Sequence, residues 1–244
     1  MNPFALGAAA TAGGTLAGAI FGARKLLATK SESQIYGPTL VAGSDPREIA
    51  FTFDDGPNDR CTMELLEVFA RWNARATFFM VGKFVREAPA LVRAVHEQGH
   101  IVGNHTMTHP DLTALSNSDA RSEMRDCKHV LEDVLGAPVR YFRCPFGRRN
   151  TRVLSTVRDL GMVPVQWNVS TFDWDPIGVN GILQHFDRRS KRPHLQRKGT
   201  NLLLHDGCHT GIGADRFATV QAVNVLLERM QAEGRPVVTV DAWE

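Results

Sequence analysis

The chain lacks the features that mark several common classes of protein. Its four cysteines have none of the close spacings of a structural zinc site, and no internal repeat or glycine-rich phosphate loop is present. A net charge of +2 offers little attraction for nucleic acid. We therefore expect free thiols, and neither nucleotide binding nor nucleic-acid binding is indicated.

A cluster of basic residues lies at 188–192 and is followed by Arg197 and Lys198. No aromatic residues alternate with them, so base stacking is not indicated. A solvated loop is the simplest interpretation of this cluster. Contact with an anionic polymer or with lipid is the alternative.

The first 23 residues contain no charged side chain and consist mostly of alanine and glycine, with Arg24 and Lys25 directly after them. This length is sufficient to cross a bilayer, so residues 1–30 are interpreted as a membrane anchor, with association through residues 3–23. A cleaved signal peptide is less favoured, because no lysine or arginine precedes the apolar stretch. A loosely ordered soluble arm is the other alternative.

The rest of the chain has the composition of one globular domain. With 43% hydrophobic and 22% charged residues, the 244-residue chain is long enough for a single α/β core. Residues 31–45 are predicted to be a linker and residues 46–244 the folded domain. Seven β-rich runs separated by amphipathic helical stretches lie near residues 49–53, 77–81, 101–103, 141–143, 163–169, 202–205 and 237–240. This alternation predicts a parallel sheet closed, or nearly closed, into a distorted seven-stranded (β/α) barrel.

Two adjacent carboxylates follow the first predicted strand. Alternation along residues 49–53 places Ile49, Phe51 and Phe53 on one buried face, and the turn at Gly56-Pro57 follows directly. Asp54 and Asp55 should therefore project in different directions, so that one binds a cation and the other handles a proton. An ordinary turn is the alternative interpretation of this segment alone.

His105 and His109 lie four residues apart, a spacing that brings both imidazoles to one side of a helical turn. Together with Asp55 they form a set of two histidines and one carboxylate, which is typical of a catalytic metal site with a vacant position. Asp54 is then free to act as a base. A histidine pair by itself is more often a surface or packing feature.

Three further segments, at 143–147, 170–174 and 203–207, follow strand-like runs in the same order along the chain. Taken with the first two, they resemble the polysaccharide deacetylases of carbohydrate esterase family 4, the NodB-homology domain. The five ordered motifs of that family read TFDDGP, H-[ST]-x-x-H, R-x-P-x-[GY], D-x-x-D-W and L-x-H. The resemblance extends from about Arg47 to Trp243.

The resemblance implies a role for each matching residue. Asp54 would be the catalytic base and His205 the general acid, while Asp55, His105 and His109 would bind one divalent metal ion. Arg143 would orient Asp54, and Asp173 would tune His205. The backbone N–H of Phe146 would donate to the oxyanion. Trp174 and Leu203 would surround the acetyl methyl group. One position departs from the family, since Ser170 stands where the first aspartate of the fourth motif is usual.

The resemblance also implies the reaction, which is removal of N-acetyl groups from amino sugars of a chitooligosaccharide- or peptidoglycan-like polymer. Zinc is the expected metal, although such a ligand set also accepts cobalt, iron or nickel. The open alternatives are an O-acetyl esterase of the xylan type, a non-catalytic carbohydrate-binding barrel, and a scaffold tethered at a membrane. A polymer-modifying enzyme is expected outside the cytoplasm, whereas Arg24 and Lys25 favour a cytoplasmic domain.

Overall fold

The computed structural model describes residues 30–193 and 195–244, in which strands and helices alternate. The strands are β1 (Ile49–Gly56), β2 (Thr77–Met80), β3 (Ile101–Asn104), β4 (Tyr141–Phe142), β5 (Val163–Pro164), β6 (Val169–Ser170), β7 (Thr200–His205) and β8 (Val237–Val238). The helices are α1 (Asp59–Arg71), α2 (Gly82–Glu87), α3 (Pro89–Glu97), α4 (Asn117–Leu135), α5 (Thr151–Asp159), α6 (Gly178–Ser190) and α7 (Phe217–Ala232). Short 3-10 turns cover Pro145–Gly147 and Val240–Trp243.

Seven strands form one curled parallel sheet in the order β5-β4-β3-β2-β1-β7-β6, and β8 pairs with the beginning of β1. Within the described residues the edge strands β5 and β6 do not pair with each other, so the sheet is a half-barrel rather than a closed one. The prediction of a distorted seven-stranded (β/α) barrel is confirmed. Because all strands are parallel, their carboxyl ends meet at one edge of the sheet.

Residues 163–169 are not the single strand that was predicted. They form β5 and β6, which lie at opposite edges of the sheet. Between the two strands the backbone changes its hydrogen-bond partners. The N–H of Val165 donates to the carbonyl of Phe142 on β4, whereas the N–H of Asn168 donates to the carbonyl of Asn201 on β7. A β-rich run cannot distinguish one long strand from two short ones, because the partners that decide the difference are remote in sequence.

Alternation along β1 separates an apolar face from a polar one. Phe51 and Phe53 pack outward against the helices, and each of their rings contacts Phe69 edge-on with centroids 5.9 Å apart. The ring of Phe53 also stacks on Phe78 at 4.9 Å. Thr52 and Asp54 consequently face the interior of the half-barrel. The aromatic layer fixes the rotation of β1, and so determines which carboxylate points into the barrel.

Residues 31–45, predicted as a linker, contact the barrel. Leu40 forms a parallel bridge with Val165. The side chain of Gln34 accepts from the backbone N–H of Thr39 and donates to the Thr39 hydroxyl, which shapes the turn that precedes this bridge. The predicted anchor, apart from Lys30, falls outside the described residues. In the part of the chain that the structure describes, no helix combines the length and apolar character needed to cross a membrane.

All four cysteines are free thiols, as predicted. Cys127 lies fully buried in the main core, and burial raises the pKa of its thiol to about 12. Cys144 is also buried, and burial raises its pKa to about 12 as well. Cys208 is partly exposed, and its sulfur lies 3.1 Å from the hydroxyl of Thr210.

The carboxyl ends of β1 and β7 pack backbone against backbone. Asp54 is the register partner of His205, and the N–H of Asp206 donates to the carbonyl of Asp54 at 3.3 Å. A Cβ atom added at Gly207 would lie 2.2 Å from the carbonyl oxygen of Asp55. Only glycine allows this approach, which places the ends of both strands side by side.

We predict that Gly207→Ala lowers the free energy of unfolding by about 1–3 kcal/mol, because the added methyl group overpacks the contact with β1. Gly211 is the matched control, since a Cβ atom there would meet nothing within 4 Å. Gly211→Ala should change the free energy of unfolding by less than about 1 kcal/mol. Urea unfolding of both variants measures the difference, and equal losses would contradict this account of the packing.

Candidate active site

The structure brings all the predicted site residues to the carboxyl edge of the sheet. Each lies at or shortly after the end of a strand, with Asp54 and Asp55 on β1, His105 and His109 after β3, Arg143 and Phe146 after β4, Asp173 and Trp174 after β6, and Leu203 and His205 on β7. This edge is where barrel enzymes assemble their sites. The sequence motifs therefore converge in space, although they span more than half of the chain.

Asp55, His105 and His109 form a buried cluster suited to a metal ion. The Oδ1 atom of Asp55 lies 3.1 Å from Nε2 of His109 and 3.5 Å from Nε2 of His105, and one ligand atom from each residue lies within 4.8 Å of the others. Asp55 Oδ1 is buried and has no hydrogen-bond partner. A buried carboxylate oxygen without a donor needs a cation, so the donor set fits a divalent metal.

The ring of His105 is oriented by the backbone. Its Nδ1 atom lies 2.8 Å from the carbonyl oxygen of Arg143, which can only accept a hydrogen bond. Nδ1 therefore carries the proton, and Nε2 is left with a free lone pair toward Asp55. This is the arrangement in which metal-binding histidines are usually held.

The prediction of a helical turn at residues 105–109 is wrong. The segment is an irregular loop after β3, in which Thr106 and His109 have positive φ angles of 69° and 64°. Side-chain hydrogen bonds shape it, since Asn104 accepts from the N–H of Thr106 and the Thr106 hydroxyl accepts from the N–H of His109. The two imidazoles still meet, with ring centroids 4.9 Å apart.

Burial of Asp55 opposes its ionisation, but the adjacent imidazoles of His105 and His109 outweigh burial and lower the pKa of this carboxyl well below its usual range. Its backbone also has a positive φ of 72°. A carboxylate held ionised in a buried and strained position is characteristic of a functional site.

Asp54 belongs to a separate network inside the barrel. The fully buried guanidinium of Arg143 donates from Nη1 to Asp54 Oδ1 at 2.9 Å and to the Thr52 hydroxyl at 2.8 Å. The Cζ atom of Arg143 also lies 4.2 Å from the centre of the Phe79 ring, and the side-chain oxygen of Asn201 accepts from Nη2 at 3.4 Å. Asp54 Oδ2 remains on the side of His105, 3.8 Å from its Nε2.

His205 is paired with a different carboxylate. Its Nδ1 lies 2.9 Å from Asp173 Oδ1, and its backbone N–H donates to Asp173 Oδ2 at 2.7 Å. Burial lowers the pKa of His205, but the charge of Asp173 and its hydrogen bond outweigh burial and raise the pKa to about 9. Thr219 donates to Asp173 as well, which fixes the carboxylate in place.

Two exposed aromatic rings stand on either side of these groups. Phe146 is 53% exposed with its ring 4.7 Å from His109, and Trp174 is 42% exposed with its ring 5.2 Å from His205. Leu203 is buried, and strand alternation places it on the same face of β7 as His205. Solvent-facing aromatic rings beside polar groups are common in sites that bind sugars or other amphipathic ligands.

The backbone of Phe146 has a positive φ of 57°, and its N–H is hydrogen-bonded to no acceptor in the described residues. Ser170, the departure from the family motif, lies at the end of β6, where its hydroxyl accepts from the N–H of Phe172 at 3.4 Å. The ring of Phe172 contacts Trp174 at 5.1 Å. Ser170 thus acts on the shape of the loop that carries Trp174.

The sequence analysis missed several residues of this site. His209 stacks on His109 with ring centroids 4.7 Å apart, and its Nδ1 lies 3.8 Å from Asp55 Oδ2. It stands four residues after His205, the same spacing as His105 and His109, which was a readable signal. Thr52 and Asn201 had no such signal, because their role depends on a guanidinium that arrives from another strand.

Comparison with known proteins agrees with the geometry. The family model described as polysaccharide deacetylase matches residues 42–165. A chitooligosaccharide deacetylase of Rhizobium leguminosarum bv. trifolii is 42% identical over 175 residues, covering 70% of this chain and 77% of the relative. A peptidoglycan-N-acetylglucosamine deacetylase of Bacillus cereus is 36% identical over 204 residues, covering 83% of this chain and 90% of the relative.

Among solved structures, that of the Bc1960 peptidoglycan N-acetylglucosamine deacetylase in complex with 4-naphthalen-1-yl-N-oxidanyl-benzamide superposes with a TM-score of 0.76 at 25% identity. The match covers 84% of this chain and 91% of the other. Sequence, fold and the five ordered motifs thus point to one conclusion. The chain belongs to the polysaccharide deacetylase family.

Proposed function

We propose that this protein hydrolyses the N-acetyl groups of N-acetylglucosamine units in a chitooligosaccharide- or peptidoglycan-like polymer, with the help of one zinc ion. The observation that carries the proposal is the register pair Asp54–His205, in which a carboxylate on β1 and an imidazole on β7 stand on neighbouring strands. Asp54 is paired with Arg143, and His205 with Asp173. The Oδ1 atom of Asp55 has no hydrogen-bond partner and lies beside the imidazoles of His105 and His109. The relatives named above support the choice of substrate.

Asp55, His105 and His109 are the residues that would hold the ion, and zinc suits a set of two imidazoles and one carboxylate. When bound, the ion supplies a water of lowered pKa and polarises the acetyl carbonyl. The chain itself must supply a base, an acid and a pocket for the acetyl group. Its remaining residues meet these needs.

Asp54 is the base in this proposal. Arg143 holds Oδ1, so the carboxylate cannot rotate, and Oδ2 faces the metal-binding cluster. From there it accepts the proton of the attacking water. A positioned base of this kind contributes roughly 10²–10⁴-fold to the rate.

His205 is the acid. With a pKa raised to about 9, it carries a proton at neutral pH and can donate Nε2–H to the departing amine, since Nδ1 is bonded to Asp173. The amine of an amide is a poor leaving group unless it is protonated. Two neighbouring titratable groups in opposed environments therefore divide the acid and base work.

The acetyl group would lie between the exposed aromatic rings. We propose that the free N–H of Phe146 donates to the developing oxyanion, and that Trp174 and Leu203 contact the methyl group. A backbone donor aimed at the oxyanion is worth about 10²–10³-fold in kcat.

The first test is acetate release by the full-length protein from N-acetylglucosamine oligomers and from peptidoglycan. We expect release that is lost with a chelator and restored by zinc, because the buried Asp55 carboxylate requires a cation. Acetylated xylan serves as the comparison substrate. Release from xylan alone would favour the esterase alternative, and no release with zinc bound would favour a non-catalytic barrel.

Asp54→Asn should lower kcat roughly 10²–10⁴-fold while zinc affinity changes little, because Asn keeps the shape but cannot accept the proton. Asp55→Asn is the matched variant at the next position, and it should lose zinc affinity as well as activity. Zinc titration by calorimetry and acetate release separate the two effects. Equal loss of zinc in both variants would contradict the division of roles between the carboxylates.

The basic limb of the pH–rate profile should report His205, since the acid works only while protonated. Its raised pKa implies that activity persists below pH 9 and falls as the pH rises through about 9. Asp173→Asn removes the charge that raises this pKa, so the limb should move about 1–3 pH units lower.

Asp175, an exposed carboxylate two residues further on, provides the control for this shift. Asp175→Asn should leave the profile in place. A basic limb that stays near pH 9 in Asp173→Asn would show that another group controls it.

A further inference from the structure

A second buried arginine lies behind the Phe146 loop and has no role in the chemistry described above. Arg149 is only 5% exposed. Its Nη1 donates to the carbonyl of Gly147 at 2.9 Å, and its Nη2 donates to the carbonyls of Lys30, Ser31 and Ser33 at 2.8–2.9 Å. One guanidinium thus joins the loop after β4 to a turn that lies more than 110 residues earlier in the chain.

No carboxylate among the described residues pairs with Arg149. Burial lowers the pKa of this guanidinium, so its charge is stabilised only by carbonyl oxygens and more distant groups. A buried charge without a counter-ion is unfavourable unless it is hydrogen-bonded. Four carbonyls accept from Nη1 and Nη2, while the buried Nε has no partner among the described residues. The rigid fork of arginine can reach two separate sets of acceptors at once, which a lysine cannot do. The contact therefore has the form of a bridge between two backbone segments.

The loop on one side of this bridge is strained. Phe146 and Gly147 have consecutive positive φ angles of 57° and 63°. A Cβ atom at Gly147 would also lie 2.6 Å from the ring of Trp167. A non-glycine residue in this conformation persists only where its surroundings hold it. The Arg149–Gly147 bond is one of the contacts that hold it.

The turn on the other side is outside residues 42–165, which the family model matches. It is closed by the N–H of Ser33, which donates to the carbonyl of Lys30 at 3.0 Å, so that three carbonyls converge on Arg149. A linker without a role in the domain would have no need of a buried charged partner. These residues are therefore part of the site's support.

We propose that Arg149 and the turn at residues 30–33 form a positioning device for catalysis. The turn holds the guanidinium, the guanidinium holds the carbonyl of Gly147, and the loop in turn directs the N–H and ring of Phe146 toward the acetyl site beside His109. Arg149 is a positioning residue, since it reaches the reaction only through Phe146. This inference rests on the proposed function.

The experiment uses full-length variants that break the bridge from either side. Arg149→Ala removes the guanidinium, and Ser33→Pro removes the N–H that closes the turn. Either variant should lower kcat about 10–100-fold, because a displaced oxyanion donor acts mainly on the transition state. KM and the zinc affinity should stay within about threefold of the wild-type values, since Asp55, His105 and His109 remain in place.

The double variant should be no slower than the slower single variant, because both changes break one bridge. Arg149→Lys should be intermediate, since an ammonium group can satisfy some of the carbonyls. Arg140→Ala is the control, because Arg140 is an exposed arginine paired with Glu244 away from the loop. It should keep the kcat of the wild-type protein.

Hydrogen exchange separates this inference from the proposed function. Peptides covering residues 143–150 and 30–36 should both exchange faster in Arg149→Ala and in Ser33→Pro, whether or not a substrate is turned over. Absence of acetate release by the wild-type protein overturns the proposed function and, with it, the catalytic role of the bridge. An active wild-type protein whose two variants lose thermal stability but keep kcat would show that the bridge is only structural.

Discussion

The buried ion pair between Arg143 and Asp54 is the interaction on which the site depends. It lies inside the half-barrel, and it connects the end of β4 with β1 while Asn201 adds a contact from β7. Removing one partner of a buried pair typically costs about 3–5 kcal/mol, because the other charge is left uncompensated. The pair compensates the charges that lie inside the barrel, and it holds Asp54 in the inward orientation that the alternation of β1 gives it.

Around this pair the structure separates groups of similar type into different environments. Asp54 is bonded to arginine and Asp173 to His205, whereas Asp55 lies beside two imidazoles. His105 is likewise held by a carbonyl oxygen, whereas His205 is held by a carboxylate. Chemically identical side chains thereby acquire distinct environments, as acid and base chemistry within one site requires.

The backbone around the site is strained in a consistent way. Positive φ angles occur at five non-glycine residues of the site loops, namely Asp55, Thr106, His109, Phe146 and Phe172. Each such residue costs of the order of 1–3 kcal/mol and must be held by its surroundings. Here the surroundings are the close glycine contact at Gly207, side-chain hydrogen bonds within the loops, and the Arg149 bridge. The rigid sheet thus supports loops that would not adopt these conformations alone.

The sequence alone determined the parts of the protein that depend on local pattern. Alternation in residues 49–53 identified a strand and its buried face, and the ordered motifs identified the residues that converge at the sheet edge. The structure confirmed this architecture, including the parallel half-barrel and the grouping of Asp55 with His105 and His109. Such features are readable because side-chain periodicity and strand direction are properties of short segments.

Only the tertiary structure decided the features that depend on distant partners. It divided residues 163–169 between two edges of the sheet, replaced the expected helical turn at 105–109 by a loop, and brought His209 and Arg149 to the site. The strand partners of residues 163–169, the ring contact of His209 and the bonds of Arg149 to residues 30–33 all join residues far apart in the chain. The loop at 105–109 is likewise held by Glu123, which accepts from the N–H groups of Met107 and Thr108, in addition to the side-chain bonds within the loop. Local periodicity carries no record of such contacts, because they exist only once the barrel has formed.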